Sequence, residues 1–223
     1  MKNVAIIPAR GGSKRIFQKN IKPFCGKPII AWPIEAALKS GLFDRVVVST
    51  DDEAIIGVAR ECGAEVLRRP AELSDDYAGV LPVVSHAIHT LGGCEKACLI
   101  YATAPFVRPA DLKTGLELLG GNDFALSVTP FESPIFRALK RDETGRIAPL
   151  WPEYEKTRSQ DLPVAWHDAG QFCWGRAEAF LENRPVFSGR TIGVPIPPER
   201  VQDIDTPEDW ARAEAMFRAL GCA

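Results

Sequence analysis

Acidic residues are missing from the first 34 positions of this chain. Lys2, Arg10, Lys14, Arg15, Lys19, Lys22 and Lys27 all precede the first one, Glu35. The net charge is −2, so the rest of the chain carries −9. That asymmetry points to a local anion site on an otherwise acidic protein and gives no footing for nucleic-acid binding. Long apolar runs are missing too. None approaches the roughly 18 residues of a membrane span, so no membrane partner is expected. The first residues read as the approach to a strand, so no signal peptide is expected. The six cysteines form no Cys-x-x-Cys pair, and Cys94 and Cys98 lack the Cys/His companions of a zinc site. Free thiols in a reducing cytoplasm are the expectation. His86 and His89 share a helix face but have no third ligand, and they read as structural. There is no Walker A loop and no Gly-x-Gly-x-x-Gly.

What is present starts at residues 4–7, a short run rich in β-branched residues that reads as a buried strand. Pro8 cannot donate to a ladder and should end it. Arg10-Gly11-Gly12-Ser13-Lys14-Arg15 and Lys19 follow. The glycines are expected to let the backbone turn and approach a ligand, with bare N–H groups converging on an anion. The next helix is expected over 28–40, which leaves a loop of roughly 19 residues. Loops of that length without structure of their own are usually functional or disordered. The stretch therefore reads as a phosphate-holding loop.

Beyond it, strands are expected at 45–49, 64–67, 97–101, 124–129, 169–174 and 191–196. They alternate with helices near 52–62, 79–91, 109–119, 176–183 and 207–220. This alternation predicts a single α/β domain over 1–223 with a mostly parallel, Rossmann-like sheet. Ligands in such sheets bind outside the carboxyl ends of the strands, so the loops at 8–27, 68–82 and 102–108 should face one crevice. Arg69 in the second of these could read a base edge or a phosphate with its planar fork. Asp51 is open to two readings, a catalytic acid or part of a Thr50-x-x-Glu53 capping box, and the cap is favoured. The alternation breaks over 131–166, which holds several prolines with Phe131, Phe136 and Trp151. That segment reads as an inserted arm.

Asp203 and Asp205 close the argument. In an extended 201–205 both carboxylates face one side and Ile204 the core. The pair could be solvated ahead of the helix cap at Thr206-Pro207. With a phosphate loop inferred, Mg²⁺ shared between carboxylates and substrate phosphates fits better.

Taken together, Ile7-Pro8-Ala9-Arg10-Gly11-Gly12-Ser13-Lys14-Arg15 with Lys19-Asn20, Arg69-Pro70-Ala71-Glu72-Leu73 and Asp203-Ile204-Asp205 strongly resemble the motifs of the acylneuraminate cytidylyltransferases. The resemblance covers nearly the whole chain. Residues 21–28 and His167-Asp168-Ala169-Gly170-Gln171-Phe172 are most similar to the branch that uses pseudaminic acid. Phe17-Gln18 and Val80 depart from the family pattern, which has a proline and a basic residue at the first place and a hydroxyl residue at the second. The resemblance implies a nucleotide-diphospho-sugar-transferase type of sheet with a dimerisation arm. It implies CTP as substrate, a nonulosonic acid as acceptor, Mg²⁺, a homodimer and a cytoplasmic enzyme. It assigns nucleotide binding to Ala9, Arg10, Gly11, Gly12, Ser13, Lys14, Lys19, Asn20 and Arg69. Catalysis falls to Arg10, Lys14, Lys19, Asp203 and Asp205, the last two holding the metal. The sugar would meet Tyr101, Thr103, His167, Asp168 and Gln171, between the carboxyl ends of the strands at 97–101 and 169–174. N-acetylneuraminic or legionaminic acid is the alternative acceptor, and a nucleotide-sugar-dependent glycosyltransferase and a nucleotide-sensing domain are the rival readings. In the glycosyltransferases, the Asp-x-Asp motif usually lies mid-chain, whereas here it sits about 20 residues from the end.

Overall fold

A computed structural model describes residues 1–74 and 79–221; part of the 68–82 loop and the thiol of Cys222 lie outside them. In chain order the elements are β1 (Asn3–Pro8), β2 (Pro23–Phe24), β3 (Lys27–Pro28), α1 (Ala31–Ser40), β4 (Arg45–Thr50), α2 (Glu53–Glu61), β5 (Glu65–Arg68), α3 (Val80–Thr90), β6 (Lys96–Ile100), α4 (Pro109–Leu119), β7 (Phe124–Pro130), β8 (Leu139–Arg141), β9 (Ile147–Pro149), β10 (Trp166–Arg176), α5 (Ala177–Leu181), β11 (Thr191–Pro195) and α6 (Pro207–Ala219). Seven strands form the central sheet in the order β11-β7-β10-β6-β1-β4-β5. Within this sheet the ladders are parallel except the two made by β10. The mostly parallel α/β architecture read from the alternation is therefore present.

Period-two alternation places the core on both faces. Ala5 and Ile7 of β1 join one cluster with Ile34 of α1, Ile55 of α2 and Leu112 of α4. Val4 and Ile6 point the other way and pack with Val84 of α3 and Phe180 of α5. Strand order reverses beside β1: β4 and β5 lie on one side of it, β6 on the other. The loops after β1 and β6 diverge there and open a crevice, the usual ligand position in such sheets.

Several local expectations need correction. Strand 169–174 is part of an antiparallel β10 that begins at Trp166, with Phe172 opposite Ile100 and Arg176 opposite Lys96. Its amino end, not its carboxyl end, meets the crevice; side-chain periodicity carries no strand direction. The first helix begins at Ala31 rather than at 28, because Ile29 and Ile30 donate their N–H groups to the Lys22 and Asn20 carbonyls. The long loop is not structureless. It contains a short turn at Lys19–Ile21 and the β2–β3 hairpin, whose two-residue turn has positive φ at Cys25 and Gly26. Neither Gly11 nor Gly12 adopts positive φ. Helix α2 is capped by Asp52, which accepts from the Ala54 and Ile55 N–H groups, and not by Thr50. Glu53 pairs with Arg68 instead of closing a box.

A satellite core fastens the loop. Ile16, Phe24, Phe106, Ile204, Trp210 and Phe217 bury one another, and Phe24 meets Trp210 and Phe217 edge-on at 5.5 and 5.3 Å. Full burial of one such side chain contributes about 1.5–3 kcal/mol, against about 1–2 kcal/mol of backbone entropy per ordered residue. Several together offset much of the cost of ordering the loop. At the start of α6 the expected cap is present. Thr206 accepts from the Asp209 N–H while the Asp209 carboxylate accepts from the Thr206 N–H.

Residues 131–165 lie between β7 and β10, which begins at Trp166. This arm carries the β8–β9 hairpin, and Phe136 packs on Trp151 and Tyr154 at 5.6 and 4.9 Å. Leu139, Ile147, Leu150 and Val164 remain exposed. The five described cysteines are free thiols.

Candidate active site

At the reversal point lies a cavity of about 540 Å³. Its walls include Arg10, Ser13, Lys14, Lys19 and Asn20 from the loop after β1, Arg69 after β5, and Tyr101 and Thr103 after β6. Eight of the residues singled out from the sequence are thus brought together. Ala9 is not among them. Its side chain is 1 % exposed, and its N–H bonds the Ser49 carbonyl at 2.9 Å. Gly11 and Gly12 do not line the cavity either. The Gly11 N–H faces Asp51 Oδ1 at 3.1 Å instead of an open anion site. Gly11 is required for a different reason: a Cβ there would collide with the Asp52 carboxylate. Asp51, for which the cap is the favoured reading, faces the loop instead. Arg15 and Ile16, to which the sequence assigns no individual role, also line the cavity.

Arg69 is buried, at 7 % exposure, with Nη2 2.6 Å from the Ser49 carbonyl and Nε 3.3 Å from Ser49 Oγ. Burial lowers its pKa from the usual guanidinium value, Asp51 acts against that shift, and Arg10 adds to it. These contacts fix the guanidinium plane, as a recognition residue requires. Asn20 donates from Nδ2 to the Arg10 carbonyl at 2.9 Å and so ties the two ends of the cationic loop.

Asp203 is exposed and Asp205 half-exposed, with Ile204 between them 1 % exposed, as an extended segment dictates. Asp205 Oδ1 sits 2.8 Å from Arg15 Nη2 and 3.3 Å from Lys19 Nζ. Lys19 also donates to the Ile204 carbonyl at 2.5 Å. The acid segment is therefore laced to the cationic loop. Among the described residues no group of three or more His, Cys, Asp or Glu side chains could hold a metal. Asp205 Oδ1 is engaged by Arg15 and Lys19, which leaves Asp203 and Asp205 Oδ2 as the carboxylate oxygens that would meet a divalent cation, an ion that commonly takes one or two carboxylates.

Tyr101 stands between this cavity and a second, mostly apolar one of about 340 Å³. Asp168, Cys173, Val186 and Phe187 help line the second. Burial, then the fields of Asp168, Cys173 and Asp203, push the Tyr101 phenol up to about 12, so it remains a donor through ordinary pH. Burial first, opposed by a hydrogen bond from the Gly170 N–H and by His167, raises Asp168 above the usual carboxylate value; Asp203 adds to the rise. Val186 and Phe187 were not foreseen. Phe187 is 80 % exposed, which no periodic pattern announces.

Two sugar candidates are placed differently from expectation. His167 is exposed at the root of the arm. It packs on Phe131 at 4.7 Å, its Nδ1 lies 2.9 Å from the Asp168 carbonyl, and it lines a separate cavity of about 220 Å³. Gln171 is 3 % exposed and donates from Nε2 to the Arg200 carbonyl at 2.6 Å. The cause is a register shift in β10 between Asp168 and Cys173, with Gly170 at φ +63. The bulge keeps Asp168 at the crevice and turns Gln171 inward.

A family model described as Cytidylyltransferase matches residues 4–216. The chain is 44 % identical to a pseudaminic acid cytidylyltransferase of Campylobacter jejuni, over 98 % of this chain and 97 % of that one. It is 31 % identical to an N-acylneuraminate cytidylyltransferase of Escherichia coli, over 95 % of this chain and 51 % of that one. Among solved structures, a CMP:2-keto-3-deoxy-manno-octonic acid synthetase complexed with CTP shares the fold. Its TM-score is 0.73 at 17 % identity, with 99 % of this chain and 100 % of that one covered.

Proposed function

The chain belongs to the cytidylyltransferase family, and from that premise we propose that it transfers CMP from CTP to the anomeric 2-hydroxyl of pseudaminic acid, releasing pyrophosphate. The observation that carries this reading is the crevice at the strand-order reversal. Its cationic wall meets an apolar chamber at Tyr101. One side suits a triphosphate, the other a substituted sugar.

Transfer forms a bond from the sugar oxygen to the α-phosphorus, breaks the α–β bridge, and gives up the hydroxyl proton to solvent water. Such chemistry asks the protein mainly for positioning and charge neutralisation. Arg10, Ser13, Lys14 and Lys19 hold the triphosphate and offset charge on the departing pyrophosphate. Arg69 and Asn20 read the cytosine, with Arg69 preset by Ser49. Asp203 and Asp205 are the residues that would hold Mg²⁺, whose chemistry there is charge neutralisation on the phosphates. Tyr101 donates to the sugar, Asp168 accepts from one of its hydroxyls, and the chamber beside them receives its apolar substituents. His167 and Gln171 do not touch the sugar in this reading. A reducing cytoplasm suits its free thiols.

The test is the product. Incubation with CTP, Mg²⁺ and pseudaminic acid is expected to yield a CMP-sugar by mass together with one equivalent of pyrophosphate. A glycosyltransferase would release no pyrophosphate from CTP, and a sensing domain would turn nothing over; either result contradicts the proposal.

We also propose that the enzyme works as a two-fold homodimer in which each arm reaches toward the partner's crevice. The exposed Leu139, Ile147, Leu150 and Val164 support this, since one segment leaves four large apolar side chains uncovered. Light scattering at micromolar concentration should return twice the chain mass, and a monomer would contradict it.

A further inference from the structure

The segment that carries Asp203 has no ladder to hold it. Residues 201–205 form no regular element. Downstream, Ile204 is buried in the satellite core and Thr206 caps α6. Upstream, the anchor is Arg200. Its guanidinium makes two bonds to the Asp111 carboxylate of α4, at 2.5 and 3.0 Å, and both side chains are largely buried. Its carbonyl accepts from Gln171 Nε2. Gln171 is in turn built into the sheet. Its carbonyl accepts from the Tyr101 N–H at 3.0 Å, and its own N–H lies 3.4 Å from Ser127 Oγ.

The orientation of this amide is dictated. Turning it over would set oxygen against the Arg200 carbonyl oxygen. In the observed orientation Oε1 is buried with no hydrogen-bond partner among the described residues. An unsatisfied buried acceptor is unfavourable, so the site keeps the Nε2 contact at the expense of the other end of the amide. A side chain meant only to fill space would not need an amide here.

We propose that Gln171 and the Asp111–Arg200 pair are positioning residues that set the 201–205 segment, and with it the Asp203 carboxylate, against Tyr101 and the sheet. This rests on the reading of Asp203 and Asp205 as the metal-holding pair. Asp111 fixes the Arg200 side chain, Gln171 fixes the Arg200 carbonyl, and Asp203 follows three residues later. The Gln171 main-chain carbonyl receives the Tyr101 N–H, so the side-chain bond from the same residue ties the acid segment to the strand beside Tyr101. The short path to the acids makes it act on metal binding and not on sugar contact. Groups that orient metal ligands typically alter affinity by about 10–100-fold when removed.

The test titrates Mn²⁺ alone into the nucleotide-free protein and follows the free ion by electron paramagnetic resonance. It uses wild type, Gln171→Met, Asp111→Asn and Asp203→Asn. Both positioning variants should bind Mn²⁺ about tenfold more weakly or worse. The half-saturating metal concentration in turnover should rise in parallel, with KM for the sugar changed less than about twofold. Asp111→Asn lies away from the crevice and carries the test if Gln171→Met does not fold. Unchanged Mn²⁺ affinity in the positioning variants, with affinity lost in Asp203→Asn, would overturn this inference alone. A raised sugar KM at unchanged metal affinity would make Gln171 a substrate contact and overturn it too. Equal binding by all four proteins would refute the metal pair itself, and with it the role assigned to these residues.

Discussion

Alanine at Asp203 or at Asp205 is expected to lower turnover by at least about 10²-fold, the scale lost with one transition-state-stabilising group, while the fold survives. Both carboxylates reach solvent, so their removal opens no cavity. The stabilising contact of the segment is Ile204, at 1 % exposure between them. The two variants should differ in a second respect. Asp205 neutralises Arg15 and Lys19. Its loss leaves those cations to the triphosphate, so KM for CTP should rise less in Asp205→Ala than in Asp203→Ala. Chelation by EDTA should abolish wild-type activity. Full activity in the double variant would remove the metal from the account.

The parts of this site that could be read in the sequence are those whose signal is local. A β-branched run ending in Pro8, a cluster of cations without acids, and Thr206-Pro207 with an acidic first turn each state their structure within a few residues. The crevice followed from alternation alone, because strands joined by helices leave their loops on one edge. What escaped depends on distant partners. The hairpin at 23–28 has strands of two residues, too short for any periodicity, and its Phe24 is held by α6 from the far end of the chain. The direction of β10 is set by its neighbours. Gln171 reads as a sugar ligand from the family resemblance and from its place near the start of the strand, where alternation would ordinarily hold. Gly170 interrupts it, and a single glycine in a strand pattern can as easily mark a close approach as a bulge. Asp51 read as part of a cap until the fold placed it against Gly11 and Arg69.

The choice of acceptor is the other large effect. In this account the sugar meets one phenol held protonated by burial, one partly buried carboxylate, and the apolar walls made by Val186 and Phe187. A hydrogen bond missed in such a place leaves a desolvated group unpaired. Sites of that kind can reject an analogue by on the order of 10⁴. Pseudaminic, N-acetylneuraminic and legionaminic acids share the carboxylate and the anomeric hydroxyl but differ in ring stereochemistry or in the substituents they carry. They therefore present different groups to Tyr101 and Asp168 while asking the same of the nucleotide half. The most direct measurement places all three at equal concentration with CTP and Mg²⁺ and follows each CMP-sugar by mass. The account predicts that CMP-pseudaminic acid forms with the highest kcat/KM. A higher kcat/KM for N-acetylneuraminic or legionaminic acid would contradict the assigned acceptor, and the absence of any CMP-sugar would contradict the transfer itself.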